Sequence, residues 1–200
     1  MIRRFHRWNA LALGAFLILH FLNHLFVTGG IENHLSVQAL LRNIYRFPGV
    51  EHALITLFFT QVALGVILSA RRGVPKGLWA WLQIGSGVYL VLFIVQHLGA
   101  ILLARMGGLD TNSYFAAAVV SRPPFVWYFA PYYVLGITAI FIHIAAALRF
   151  RVWPRPAPLI SVILPFAGLV IGMITVAGLM GAFGDFSLPR EYDDYLKSFE

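Results

Sequence analysis

Seven histidines carry most of the chemistry this chain could perform: His6, His20, His24, His34, His52, His97 and His143. Three of them, His20, His97 and His143, lie well inside separate apolar stretches, and His24 follows His20 by one helical turn. A polar side chain at membrane depth is costly and usually faces the protein interior. A single such imidazole can do no more than hydrogen-bond a neighbouring helix, but three stretches each presenting one suggest shared work. Zinc or copper wants converging ligands, often with carboxylate or thiolate among them. No Asp or Glu falls inside the apolar stretches, and the chain has no cysteine. Proton relays usually show intramembrane carboxylates as well. What remains is a large apolar cofactor held by neutral imidazoles from two helices, and b-type haem answers that description. Covalent attachment is excluded, because no C-x-x-C-H motif exists.

The elements that must position these residues follow from composition. The 200 residues are 60% hydrophobic and 12% charged, with a mean hydropathy of +0.78. A soluble domain is nearer half apolar and a quarter charged, so a soluble enzyme, a nucleic-acid binder and a disordered chain are all excluded. About 20 apolar residues cross a bilayer as a helix. Five segments qualify: 8–27, 52–70, 78–103, 126–148 and 157–183. Their continuous apolarity argues against β-barrel strands, which alternate. The first is too long for a signal sequence and has no cleavage site after it. The expected fold is an all-α integral membrane domain, a four-helix bundle that binds haem plus a fifth helix, with 184–200 as a short external tail.

Charge sets the expected orientation. The N-terminus and the loops 71–77 and 149–156 carry Arg3, Arg4, Arg7, Arg71, Arg72, Lys76, Arg149, Arg151 and Arg155, and no acidic residue. The other side holds six basic and all eight acidic residues. The positive-inside rule then places the N-terminus in the cytoplasm and the C-terminus outside, as for a multi-pass protein of a bacterial-type inner membrane.

A weak internal repeat adds detail. Asn9-Ala10 precedes His20 as Ser86-Gly87 precedes His97, and Gln61 stands four residues before Gly65 as His143 stands before Ala147. Small residues admit close helix approach. The pattern describes two helical hairpins, with His20 and His97 paired in the outer half. Gln61 is expected to face His143 in the inner half.

These residues resemble the single-chain, five-span cytochrome b membrane anchor of succinate dehydrogenases and fumarate reductases. His20-Phe21-Leu22-Asn23 looks like that family's His-Leu-x-x-Asn ligand motif. Leu82-Gln83-Ile84-Gly85-Ser86-Gly87, with Phe93 and His97, is similar to its Gln-Arg-x-Ser-Gly…Phe…His pattern, and His143 with Ala147 resembles its His-x-x-x-Gly. The resemblance implies an outer haem on the histidines of spans one and three, which here are His20 and His97. It implies an inner haem on those of spans two and four, quinone as electron partner, and flavoprotein and iron–sulfur subunits docked on the cytoplasmic side. Two departures stand out. Gln61 occupies the second-span ligand position, and Ile84 replaces the arginine after Gln83. One haem b is therefore expected where the family pattern has two, and two stay open if His143 holds an inner haem with Gln61 or water.

The function this implies is a b-haem anchor subunit of a succinate:quinone or fumarate reductase-like complex, exchanging electrons with quinone and not itself catalytic. The alternatives are an accessory subunit of a respiratory or photosynthetic complex, with one haem or none, and a haem-free transporter or scaffold. The iron ligands are His20 and His97, with His24 and His143 as rivals. His143 also reads as a core or quinone-pocket residue. Arg7 and Arg105 are candidate partners for haem propionates, although both equally suit snorkelling to lipid headgroups. Glu51, His52 and Gln61 are candidate quinone residues, the first two as an acid–base pair. His6 and His34 read as ordinary loop residues.

Overall fold

The computed structural model describes residues 1–151 and 159–200, and of Arg151 the backbone only. The part of the basic set formed by the side chains of Arg151 and Arg155, and the first two residues of the expected fifth span, therefore lie outside the described residues. The described residues are helical, with no strand among them.

Eight α-helices follow in order: α1 (Ile2–Leu25), α2 (Ile31–Tyr45), α3 (Pro48–Arg72), α4 (Leu78–Met106), α5 (Ser113–Ser121), α6 (Phe125–Arg151), α7 (Ile160–Leu179) and α8 (Arg190–Lys197), with a 3₁₀ turn at Phe26–Gly29. Five of them (α1, α3, α4, α6 and α7) are long and apolar enough to cross a membrane. Hydrocarbon offers no partner for backbone polar groups, so such segments close their hydrogen bonds within a helix. The first four run past the expected limits, α1 from Ile2 rather than Trp8 and α3 from Pro48 to Arg72 rather than 52–70. Polar ends join the helix because hydrogen bonding continues through the headgroup region, where hydropathy has already fallen. Pro48, with its fixed φ, opens α3, and Gly73 at φ +72° lies just past its end.

The spans pair as antiparallel hairpins. Asn9 and Phe16 of α1 meet Gln61 and Phe58 of α3. Phe93 of α4 stacks on Tyr132 of α6. α7 packs on α6 through Gly168 and Gly172, one turn apart. A Cβ on Gly172 would stand 3.0 Å from the Val134 backbone, and one on Gly168 2.7 Å from Phe141. Between α1/α3 and α4/α6 the contacts are sparse, and α3 has no buried residue at all. A seam thus runs along the bundle between the two hairpins. The α6–α7 contact is the tightest, and a backbone obstacle cannot rotate away. Gly172→Val is expected to destabilise the protein by about 1–3 kcal/mol, read as a lower midpoint of thermal unfolding in detergent.

Three further helices, α2, α5 and α8, stand where loops and a tail are expected from hydropathy and fold together over one end of the bundle. Val27, Ile31, Ala117, Val120, Leu179, Tyr192 and Leu196 form a dry core there. Tyr192 and Leu196, one turn apart on α8, are its buried face. The Tyr192 hydroxyl donates to the Asp110 carbonyl at 3.0 Å, Arg122 pairs with Asp193, and Lys197 reaches Asp193 at 2.6 Å. Arg42 pairs with Asp110 and, with Arg46, holds its carboxyl below the usual carboxylate range. A depressed carboxylate pKa gives stability that is complete above the unfolded value and lost as pH falls through the folded one. Acidification below about pH 4 is therefore expected to loosen this cap, read as faster backbone deuterium exchange in α2 and α5. Asp110→Asn should remove part of that acid sensitivity.

Candidate functional site

Two polar stations lie along the seam. The first is near the cap. His20 on α1 faces His97 on α4 with ring centroids 6.3 Å apart and planes at 77°. Each ring is backed by an aromatic neighbour one turn earlier on its own helix. Phe16 stacks on His20 at 5.3 Å, and Phe93 on His97 at 5.4 Å. Phe93 is fixed in turn by Tyr132, whose ring lies 4.5 Å away, and by Gly136, where a Cβ would meet the Phe93 ring at 2.2 Å.

His24 and His34 extend this station to four histidines. His24 Nε2 lies 3.2 Å from His20 Nε2, so one of the two nitrogens carries the shared proton. The His34 ring is 5.1 Å from that of His24. His34 is wholly buried, and its Nε2 accepts from the amide of Asn23, itself buried, at 3.2 Å. That places the His34 proton on Nδ1. The Nδ1 atoms of His24 and His34 and the Asn23 Oδ1 are buried without a partner.

The second station lies near the N-terminal end, and its hydrogen bonds fix every tautomer. Asn9 Nδ2 donates to the Leu57 carbonyl and to Gln61 Oε1, both at 2.8 Å. Gln61 must therefore turn its Nε2 toward His6 Nε2, 3.3 Å away, which leaves the His6 proton on Nδ1. Across the seam, His143 Nδ1 donates to the Gln83 carbonyl at 3.1 Å, and Ser86 Oγ lies 3.2 Å from the same nitrogen. A Cβ on Gly65 would meet His6, and one on Gly87 would meet His143. Gln61 and His143 each bond within their own hairpin, so the expected Gln61–His143 pair is not formed. The repeat survives in another form, since Asn9 serves Gln61 as Ser86 serves His143.

The remaining candidates are placed as follows. Arg7 is exposed and its Nε donates to the Arg3 carbonyl at 3.0 Å. Arg105 is paired with Glu51. His52 is exposed, with Nδ1 against the Pro48 carbonyl of its own helix. Glu51 and His52, consecutive in α3, thus have separate partners.

His6 and His34 are not loop residues. His6 stands in α1 and His34 in α2. The signal for α2 was present in the sequence. Ile31, His34, Leu35, Gln38, Leu41, Arg42 and Tyr45 follow the spacing of one helical face, although the intervening charges and amides kept hydropathy low. Burial holds the His34 imidazole down at about 4. The unfolded chain takes up this proton below about pH 6.5 and the folded chain does not, so stability falls as pH drops from there toward 4. His34→Leu should flatten the unfolding midpoint across that window.

Two imidazoles on opposite faces of one metal ion, each bound at about 2 Å, hold their centroids at about the separation seen for His20 and His97. Among the described residues, no three His, Asp or Glu side chains converge to hold a bare ion. The His20 and His97 rings are 6.3 Å apart in a T-shaped contact, and the His20 Nε2 is turned to His24. The cavity beside it is about 80 Å³, about half the size that admits benzene. A porphyrin is larger than this cavity. No family model, characterised protein or solved structure matches the chain.

Proposed function

We propose that the chain is a b-type haem membrane anchor, similar to the cytochrome b subunit of succinate:quinone and fumarate reductases, that exchanges electrons with quinone. One observation carries the reading: His20 and His97, on different hairpins, bring their rings to 6.3 Å across the seam, where the two would hold a haem between them. Phe16 and Phe93 would hold the two rings in place, and the apolar seam would exclude water. When bound, the haem supplies one-electron chemistry. The nine basic residues of the N-terminal end, unaccompanied by acidic ones, would face the cytoplasm and there meet flavoprotein and iron–sulfur partners. The sparsely packed α3 leaves an apolar face for lipid.

A second reading, an accessory subunit that keeps one haem as a strut, is favoured by Gln61. Its amide is committed to Asn9 and His6, so the second-span position that carries a ligand histidine in the family pattern offers none here. An optical spectrum of the purified chain tests the haem, since a reduced b-type centre gives a sharp α band and a scaffold gives none. Co-purification separates the two haem readings, because only the first brings a flavoprotein with it. Orientation has its own test. A reporter fused after Glu200 should be active only in a form that works outside the cytoplasm, and cytoplasmic activity would overturn the assignment.

A further inference from the structure

α2 slants back along the first span. His34, near its start, bonds Asn23 close to the end of α1, whereas the ring of Tyr45, its last residue, lies 5.8 Å from that of Phe16. Phe16 precedes Asn23 by about two turns, so α2 descends about 10 Å along α1 at 1.5 Å per residue. The exposed face of α2 changes character over the same descent. Near the start it shows Glu32, Asn33 and Ser36, and near the end Ala39, Leu40, Asn43 and Ile44. Leu40, Ile44 and then Phe47, spaced by four and by three, form one stripe, and each is more than half exposed. Beside the stripe lies an open notch of about 320 Å³ lined by Ala39, Arg42, Asn43 and Arg46. None of these four lines the space beside His20 and His97. The lining of the notch has two guanidiniums and no carboxylate. Asp110 pairs with both guanidiniums, which leaves one positive charge in excess.

We propose that the second half of α2 lies in the headgroup layer of the bilayer, and that the notch binds the phosphodiester of one anionic phospholipid whose acyl chains run along Leu40, Ile44 and Phe47. A helix with apolar residues on one side and basic residues beside them settles in the interface with its apolar face sunk by about 5–10 Å. That depth agrees with the descent along α1. Guanidinium forks match phosphate oxygens in geometry as well as charge, and Asn43 adds an amide donor. The single excess charge suits a singly negative headgroup, whereas a zwitterionic one would bring a further cation to a notch that already holds two. Val50, also exposed, carries the apolar surface on into α3, which is a membrane-spanning helix without a buried residue. The lipid-facing surface of the span is thus continuous with the stripe. The inference needs the spans to cross a membrane and is independent of the haem.

The test uses the full chain in vesicles of phosphatidylcholine with phosphatidylglycerol. The chain has no cysteine, so Ile44→Cys and Ser36→Cys each accept one nitroxide label at a unique place. The label at position 44 should collide several-fold more often with oxygen, which partitions into lipid, than with a water-soluble nickel chelate. The label at position 36 should show the reverse. Wild-type chain extracted from the vesicles should retain phosphatidylglycerol several-fold over phosphatidylcholine, read by native mass spectrometry, and excess inorganic phosphate should not displace it. Arg46→Gln should lose most of that retention, and so should the double variant Leu40→Ser with Ile44→Ser, whose side chains are exposed. A label at position 44 as open to the chelate as that at position 36 would overturn the proposal without any arginine variant. Equal retention of the two lipids by the wild-type chain would overturn it as well, as would unchanged retention in Arg46→Gln. Displacement by inorganic phosphate would assign the notch to a free anion and remove the lipid from it.

Discussion

A His97→Ala chain is expected to purify with most of its haem lost, while His143→Ala keeps it. His97 is the only histidine on α4, and the imidazole it presents to His20 has no substitute on that side of the seam. If His20 and His97 hold a haem between them, removal of His97 would leave His20 alone to hold the group, and ligand identity governs both retention and spectrum in such sites. Any haem that remains should show the five-coordinate spectrum, with the sharp reduced α band gone. On α1 the case differs, because His24 stands one turn beyond His20 and within hydrogen-bond distance of it. His20→Ala should therefore lose less haem than His97→Ala. His143→Ala removes a side chain whose Nδ1 is spent on Gln83 and Ser86 in the opposite half of the seam. Haem-to-protein ratios of the three variants check the order.

Gly136→Ala is expected to have the second large effect, on both fold and site. The added Cβ would fall 2.2–2.8 Å from three atoms of the Phe93 ring, closer than real atoms approach. The ring cannot simply swing aside, since it stacks on Tyr132 and on His97. Either α4 and α6 separate or Phe93 leaves its place and the His97 ring loses its backing. Overpacking of this kind typically costs about 1–3 kcal/mol. A lower midpoint of thermal unfolding should accompany a shifted or weakened haem spectrum. Gly136→Ala with Phe93→Leu, which shortens the obstructing side chain, should recover part of both. A Gly136→Ala chain with unchanged midpoint and spectrum would mean that this contact does not position His97.

How much of this was legible in the sequence differs between the spans and the cap. The five long helices were visible because lipid as solvent demands some 20 consecutive apolar residues, and that demand leaves a continuous run in the text. Their limits were less visible, since Arg3, Arg71 and Arg105 extend their helices beyond the apolar run. The cap was hidden for a different reason. α2 and α8 bury one face only, and eight residues of α8 with two buried side chains read as a polar tail. His34 was lost with α2. The seven-residue face 31–45 is regular, but its centre is a histidine and an amide, residue types that hydropathy counts as loop.

Within the site, the internal repeat put His20 and His97 at the same depth of helices that run the same way, and their rings lie 6.3 Å apart. The partners of Gln61 did not follow. A repeat reports which positions correspond, and nothing in it says whether corresponding residues meet each other or each meet a neighbour in their own hairpin. Asn9 decided this, because its amide must donate to the Leu57 carbonyl and thereby turns Gln61 toward His6. Arg105 was likewise readable as a charge at a helix end but not as the partner of Glu51, 54 positions away along the chain.

The most direct measurement is the haem content per chain of the purified wild-type protein, by the pyridine haemochrome method, taken together with the reduced optical spectrum. On the proposal that His20 and His97 would hold the one haem, the result should be one b-type haem per chain with a sharp α band. A preparation without haem would contradict the central claim. Two haems per chain would contradict the single complete pair and place a ligand for the second iron among His6, His24 and His143.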